Sequence, residues 1–269
     1  MDDPITALRS EARTVEFDRG THWRAKLGFL INTNELVVEN NLFRMAPEGV
    51  GVYMTRNRTS KHITVAELAK HIETMADAAS VLLPEVVPDV IAYACTSGTI
   101  VIGEERVMAE IKRGAPGSQA TTLVTGVVNA LRALGASRIV VGTPYLDEVN
   151  ALEARFLAEK GFDVLDIQGL NVEHGDAMGR ITPAYIKEFA LSIDRPEADA
   201  IFISCGGIRT IDVLQEIEEA CGKPVVASNQ AMMWDCLRRV GIDDNLSGFG
   251  RLFEIPSAGH PDGRSALAQ

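Results

Sequence analysis

Basic residues are in short supply in this 269-residue sequence: 26 Lys and Arg stand against 37 Asp and Glu, a net charge of −11. A nucleic-acid partner needs a basic face that neutralises phosphates, so the balance argues against that class of function. A small anionic substrate is not, because helix N-termini and a few arginines create local positive sites on an acidic protein. No apolar run approaches the roughly 18 residues of a membrane span. The start, Met1-Asp2-Asp3-Pro4, has neither the basic residues nor the apolar stretch of a secretory signal. A cytoplasmic location with no membrane partner is therefore expected. There are four cysteines (Cys95, Cys205, Cys221 and Cys236), no CxxC pair, and five scattered histidines. In a reducing compartment these are free thiols, and neither a disulfide framework nor a metal site is expected.

What is present is an alternation of short apolar runs with helical patterns. Strands are predicted over 25–31, 50–54, 89–94, 121–124, 138–142, 163–167, 199–204 and 224–227. Helices are predicted over 35–46, 64–82, 104–113, 125–135, 146–160, 182–193, 209–221 and 229–240. Unbroken apolar strands such as 201–204 fit parallel strands covered on both faces. Thr64 with Glu67 forms a capping-box pattern, Gly135 and Gly161 stand where left-handed helix ends are expected, and Pro183 suits a first helical turn. The pattern reads as an α/β protein, with two open parallel sheets and a site in the cleft between them. The expected organisation is an N-terminal arm over 1–23, a first lobe over 24–135 with Cys95, a second lobe over 136–255 with Cys205, and a flexible tail over 256–269. A chain crossover between lobes is allowed near the C-terminus.

A repeat in spacing carries the functional reading. Asn34 follows the first strand and Cys95 comes 61 positions later; Tyr145 follows the fifth strand and Cys205 comes 60 positions later. Open parallel sheets bind ligands beyond the carboxyl ends of their strands, so two such halves face to face would share one pocket. Each cysteine ends an apolar strand and enters a polar or glycine turn: Cys95-Thr96-Ser97-Gly98-Thr99 and Cys205-Gly206-Gly207-Ile208-Arg209. Backbone N–H groups there, with the hydroxyls of Thr96, Ser97 and Thr99, suit an anion and lower a thiol's pKa. Arg209 is placed to reach the same anion. Cys221 and Cys236, inside helical patterns, are read as core residues.

At these residues the sequence resembles the aspartate/glutamate racemase superfamily, most closely its maleate cis-trans isomerase branch. The likeness is carried by Ala94-Cys95-Thr96-Ser97-Gly98-Thr99, by Val101-Ile102-Gly103-Glu104-Glu105-Arg106-Val107, by Thr143-Pro144-Tyr145-Leu146-Asp147-Glu148-Val149-Asn150, by Ser204-Cys205 with Arg209-Thr210, and by the stretch from Gly28 to Asn34. The resemblance implies a cofactor-independent isomerase of a small dicarboxylate. In it Cys95 adds to the double bond, Cys205 handles the proton on the other face, and Asn34 and Tyr145 anchor carboxylates. Main-chain N–H groups near Thr96, Ser97, Gly206 and Gly207 hold the charge, and a homodimer or homotetramer is implied.

Departures from the branch are the Gly206-Gly207 pair after the second cysteine and the absence of an asparagine just before Gly179-Arg180. Arylmalonate decarboxylases have glycine in place of the first cysteine, a pattern that Cys95 does not share. The alternatives are a two-thiol amino-acid or hydantoin racemase, an arylmalonate-type decarboxylase, and a non-catalytic carboxylate-binding protein. Of the remaining polar residues, His174 is read as a loop residue, Arg56 and Arg58 as solvated, and Asn32, Asn40 and Asn41 as caps or solvated positions.

Overall fold

The computed structural model describes residues 10–60 and 64–255. The tail expected over 256–269 and the first nine residues of the expected arm lie outside the described residues; residues 10–23 form neither helix nor strand. Two four-stranded parallel sheets follow. The first has β1 (Ala25–Asn32), β2 (Val50–Asn57), β3 (Val90–Tyr93) and β4 (Gln119–Thr122) in the order β2-β1-β3-β4. The second has β5 (Arg138–Thr143), β6 (Asp163–Gly169), β7 (Ala200–Ile203) and β8 (Val225–Ala227) in the order β6-β5-β7-β8. One topology is thus used twice, with every strand pairing parallel. In each sheet the direction of winding reverses between the first and third strands, which opens a crevice at their carboxyl ends. β3 and β7 are buried at every residue, as strands covered on both faces must be.

The helices differ from expectation in three places that shape the site. The stretch predicted as one helix over 64–82 is broken into Val65–Ala69, a 3₁₀ turn Lys70–Thr74, and Met75–Ser80. Its start is capped as expected, with Thr64 Oγ1 accepting from the Glu67 N–H at 3.3 Å. The polar turn expected after Cys95 is instead the first turn of a helix, Thr96–Ile102. A short helix, Gly175–Met178, lies in a region expected to be loop. Gly135 and Gly161 do adopt positive φ, and Pro183 does open the helix Pro183–Ser192.

The last long helix, Ser228–Arg239, leaves β8 but packs against the helix Leu123–Ala133 of the first half. Its residues 228–238 are all buried. Asp235 anchors it by accepting from Thr121 Oγ1 (2.9 Å), Asn129 Nδ2 (2.8 Å) and Arg239 Nε (2.7 Å). A Cβ on Gly126 would lie 2.9 Å from the Ala231 carbonyl oxygen, so glycine permits this close helix approach. One apolar cluster consequently runs through both halves and includes Cys236, while Cys221 is partly buried against its edge. No described helix is long and apolar enough to cross a membrane.

Candidate active site

The duplicated topology brings equivalent positions together. Cys95 and Cys205 follow the third strand of each sheet, β3 and β7, and Asn34 and Tyr145 follow the first, β1 and β5. All eight expected site residues (Asn34, Cys95, Thr96, Ser97, Tyr145, Cys205, Gly206 and Gly207) line a single cavity. It is also lined by Asn32, Glu35, Thr59, Ser60, Leu68, His71, Ala94, Gly175 and Met178. Among the described residues no cluster of three His, Cys, Asp or Glu is arranged to hold a metal ion.

Cys95 caps the helix Thr96–Ile102 in an ordinary extended conformation, and its Sγ accepts the Gly98 N–H at 3.3 Å. The Ser97 hydroxyl lies 3.8 Å away. Burial pushes this thiol up, but hydrogen bonding and electrostatic attraction from His71, with further bonds from the Asn32 side chain and the Gly98 N–H, bring it down to about 7. His71 is held in the buried interior, with Nδ1 2.7 Å from the Tyr93 hydroxyl and its carbonyl accepting from Asn57 Nδ2 at 2.8 Å. A Cβ on Gly98 would stand 2.7 Å from Tyr93 Oη, 3.0 Å from Cys95 Sγ and 3.2 Å from His71 Nδ1. The three polar atoms therefore converge on one point that only glycine leaves open.

Cys205 is built differently. Its φ is +93°, a region that costs a side-chain-bearing residue on the order of 1–3 kcal/mol. Its N–H donates to Ser228 Oγ at 3.0 Å, its Sγ accepts the Gly207 N–H at 3.2 Å, and Met178 Sδ lies 4.0 Å from that sulfur. Burial raises this thiol; hydrogen bonds from Tyr145 and Gly207 offset only part, and the charges of Glu35 and Cys95 add to the rise, leaving it at about 12. Near neutral pH the cavity thus faces a partly ionised sulfur on one wall and a protonated sulfur on the other. Such a pair can act as a nucleophile or base opposite an acid.

Ser228 ties the walls together: its hydroxyl accepts from the Cys205 N–H and lies 3.3 Å from Thr96 Oγ1. Asn229 beside it donates to Asn41 Oδ1 (2.9 Å) and to the Gly206 carbonyl (2.8 Å). Behind the Cys205 wall lies Glu153, with neither carboxylate oxygen hydrogen-bonded among the described residues. Burial raises it to about 7, and the neighbouring Ser204 hydroxyl offsets this only slightly.

Several expected roles need correction. Thr99 does not offer its hydroxyl to the cavity, because it donates to the Cys95 carbonyl at 2.7 Å. Arg209 is turned away from the cavity, its guanidinium donating to the Ile181 carbonyl at 2.9 and 3.3 Å. Asn32 is not merely solvated but lines the cavity beside Cys95, and Asn41 is buried. Arg56 is engaged with the backbone carbonyls of Asn32, Thr33 and Glu35 and with Glu39. His71, Glu35, Met178 and Ser228 were not anticipated at all. Only a helical register running unbroken through 64–82 was legible near His71, and it hid the 3₁₀ turn that aims the ring at the sulfur.

Comparison with known proteins agrees with this frame. The arylmalonate decarboxylase family profile matches residues 44–253. Arylmalonate decarboxylase from Bordetella bronchiseptica is 38% identical over 145 residues, a match spanning 53% of this chain and 60% of that enzyme's length. Maleate isomerase from Nocardia farcinica is 24% identical over 243 residues, 87% of this chain and 97% of that enzyme. A solved structure of a cysteine-to-serine variant of the Nocardia farcinica maleate cis-trans isomerase, with a covalently bound succinylcysteine intermediate, superposes with a TM-score of 0.80 at 24% identity, covering 87% of this chain and 99% of that one. With a family profile spanning most of its length and two sheets of the same topology, the chain belongs to the arylmalonate decarboxylase family.

Proposed function

We propose that the chain is a cofactor-independent isomerase of a small cis-unsaturated dicarboxylate of the maleate type. The observation that carries this reading is that two cysteine sulfurs line one cavity in unlike surroundings, which bring Cys95 down to about 7 and push Cys205 up to about 12. The Cys95 thiolate adds to one alkene carbon, forming an S–C bond. The π pair moves to the other alkene carbon, where the adjacent carboxylate delocalises it as an enediolate. The Cys205 thiol delivers its proton to that carbon, leaving a succinyl thioether whose central bond is single and rotates. The Cys205 thiolate then removes a proton, the C=C bond reforms in the trans geometry, and Cys95 departs as thiolate. Electrons and protons balance with no added reductant. Asn34 and Tyr145 are assigned as carboxylate anchors, with the N–H groups around Thr96, Ser97, Gly206 and Gly207 as donors to the developing charge. The succinylcysteine in the Nocardia farcinica relative is the adduct this sequence of steps requires.

A second reading is favoured by the 38% identity to arylmalonate decarboxylase. Loss of CO₂ from a substituted malonate leaves an enediolate, and the Cys205 thiol protonates it. Proton NMR in D₂O with maleate and with phenylmalonate separates the two. Fumarate from maleate supports the isomerase, whereas CO₂ and phenylacetate without fumarate overturn it in favour of the decarboxylase.

A further inference from the structure

The two sulfurs have different polar neighbours in the cavity: each has hydrogen-bond donors beside it, and Cys205 also faces a carboxylate. Beside Cys95 stand the amide of Asn32 and, 3.8 Å from the sulfur, the hydroxyl of Ser97, both able to donate to an anion. On the Cys205 side stands Glu35. Its Oε1 accepts the backbone N–H groups of Leu36 (2.8 Å), Val37 (2.7 Å) and Val38 (3.3 Å), which pins the carboxylate in place. Its Oε2 makes no hydrogen bond within the described residues. Oε2 and Cys205 Sγ each lie 3.4 Å from the point a Cβ on Gly207 would occupy, so the free oxygen and the sulfur border the same gap. A substrate carboxylate placed there would meet a fixed like charge, and the absence of a side chain on Gly207 leaves nothing between them.

We propose that Glu35 sets substrate choice: the compound bound between the two cysteines presents a carboxylate to the Cys95 side and an N–H donor, amide or ammonium, to the Cys205 side. This rests on the isomerase reading above and narrows it to a small cis-unsaturated acid with a nitrogen in place of one carboxylate oxygen or of one whole carboxyl group. The half-amide of maleic acid is the simplest member. Glu35 Oε2 accepts the substrate N–H, and the same charge adds to the burial that keeps the neighbouring Cys205 protonated for its role as acid.

Glu35→Gln is the informative variant. Glutamine keeps an oxygen for the three backbone N–H groups and replaces Oε2 with an NH₂ donor, which reverses the polarity of one atom and preserves the local fold. Calorimetric titration of wild type and E35Q with succinate, succinamate and 3-aminopropanoate uses saturated ligands that cannot react, so binding is read apart from turnover. Wild type is expected to bind succinamate or 3-aminopropanoate at least about tenfold more tightly than succinate, and E35Q to lose or reverse that preference. The two nitrogen ligands distinguish amide from ammonium. Succinate bound as tightly as the nitrogen compounds by wild type, a preference unchanged in E35Q, or no binding of any of the three overturns the proposal. Maleate turnover with a succinate preference retires Glu35 alone and leaves the isomerase standing. A nitrogen preference that reverses in E35Q, with no cis-enoate isomerised, retires the isomerase and keeps Glu35 as the selector.

Discussion

The turn after β3 and the turn after β7 occupy equivalent places in a repeated topology, yet they treat the same side chain in opposite ways. Cys95 has relaxed backbone geometry, caps a helix, and is drawn towards the thiolate by His71, Asn32 and an N–H group. Cys205 has a left-handed φ, enters a glycine pair rather than a regular helix, and is held as the thiol by burial and by Glu35. The lesson is that duplication supplies the geometry, two sulfurs on one cavity, while the residues that decide their charge are ones the two halves do not share: His71 in the 3₁₀ turn at Lys70–Thr74 and Glu35 in the loop after β1.

That contrast can be broken from the Cys205 side first. Cys205→Ala removes the proposed acid and is expected to lower kcat/KM by about 10²–10⁴-fold with the fold intact, as measured by fumarate formation. A smaller effect follows from Glu153 behind the same wall. Its folded pKa, about 7, lies above the ordinary carboxylate value of 4.5. The native state therefore holds a proton that the unfolded chain has released, so the associated stability is complete below about 4.5 and is lost as pH rises through about 7. Glu153→Gln removes this dependence and should stabilise the protein at pH 8 by about 3 kcal/mol, with little effect near pH 4.5, in denaturant melts at the two pH values. The smallest expected change sharpens the other side. His71→Gln should move the Cys95 midpoint upwards and lower kcat/KM at pH 7 on the order of tenfold, with recovery towards pH 9. A purely structural role for His71 would show no alkaline recovery.

Much of the fold was legible because parallel strands leave a strong trace: all eight predicted strands exist, and β3 and β7 read as continuous apolar runs ending at a cysteine. The helix starting at Thr96 was not, because Thr96, Thr99, Ile100, Val101 and Gly98 are poor helix formers and tertiary packing overrides their propensity. The cysteine pair could be found from spacing and turn chemistry. Asn32 was passed over for Asn34, since neighbouring asparagines look alike until one is seen beside the sulfur. His71 and Glu35 were illegible for a plainer reason: their meaning lies in which distant cysteine they face, 24 residues on for His71 and 170 for Glu35, and local pattern carries no record of that.

The opposed state of the two sulfurs is tested most directly by alkylation with iodoacetamide between pH 5 and 10, with each cysteine followed by mass spectrometry and Cys236 serving as a buried reference. Labelling of Cys95 is expected to rise with a midpoint near pH 7 while Cys205 stays unlabelled across the range. Labelling of Cys205 ahead of Cys95, or of both together with one midpoint, would contradict the assignment of one as thiolate and the other as thiol.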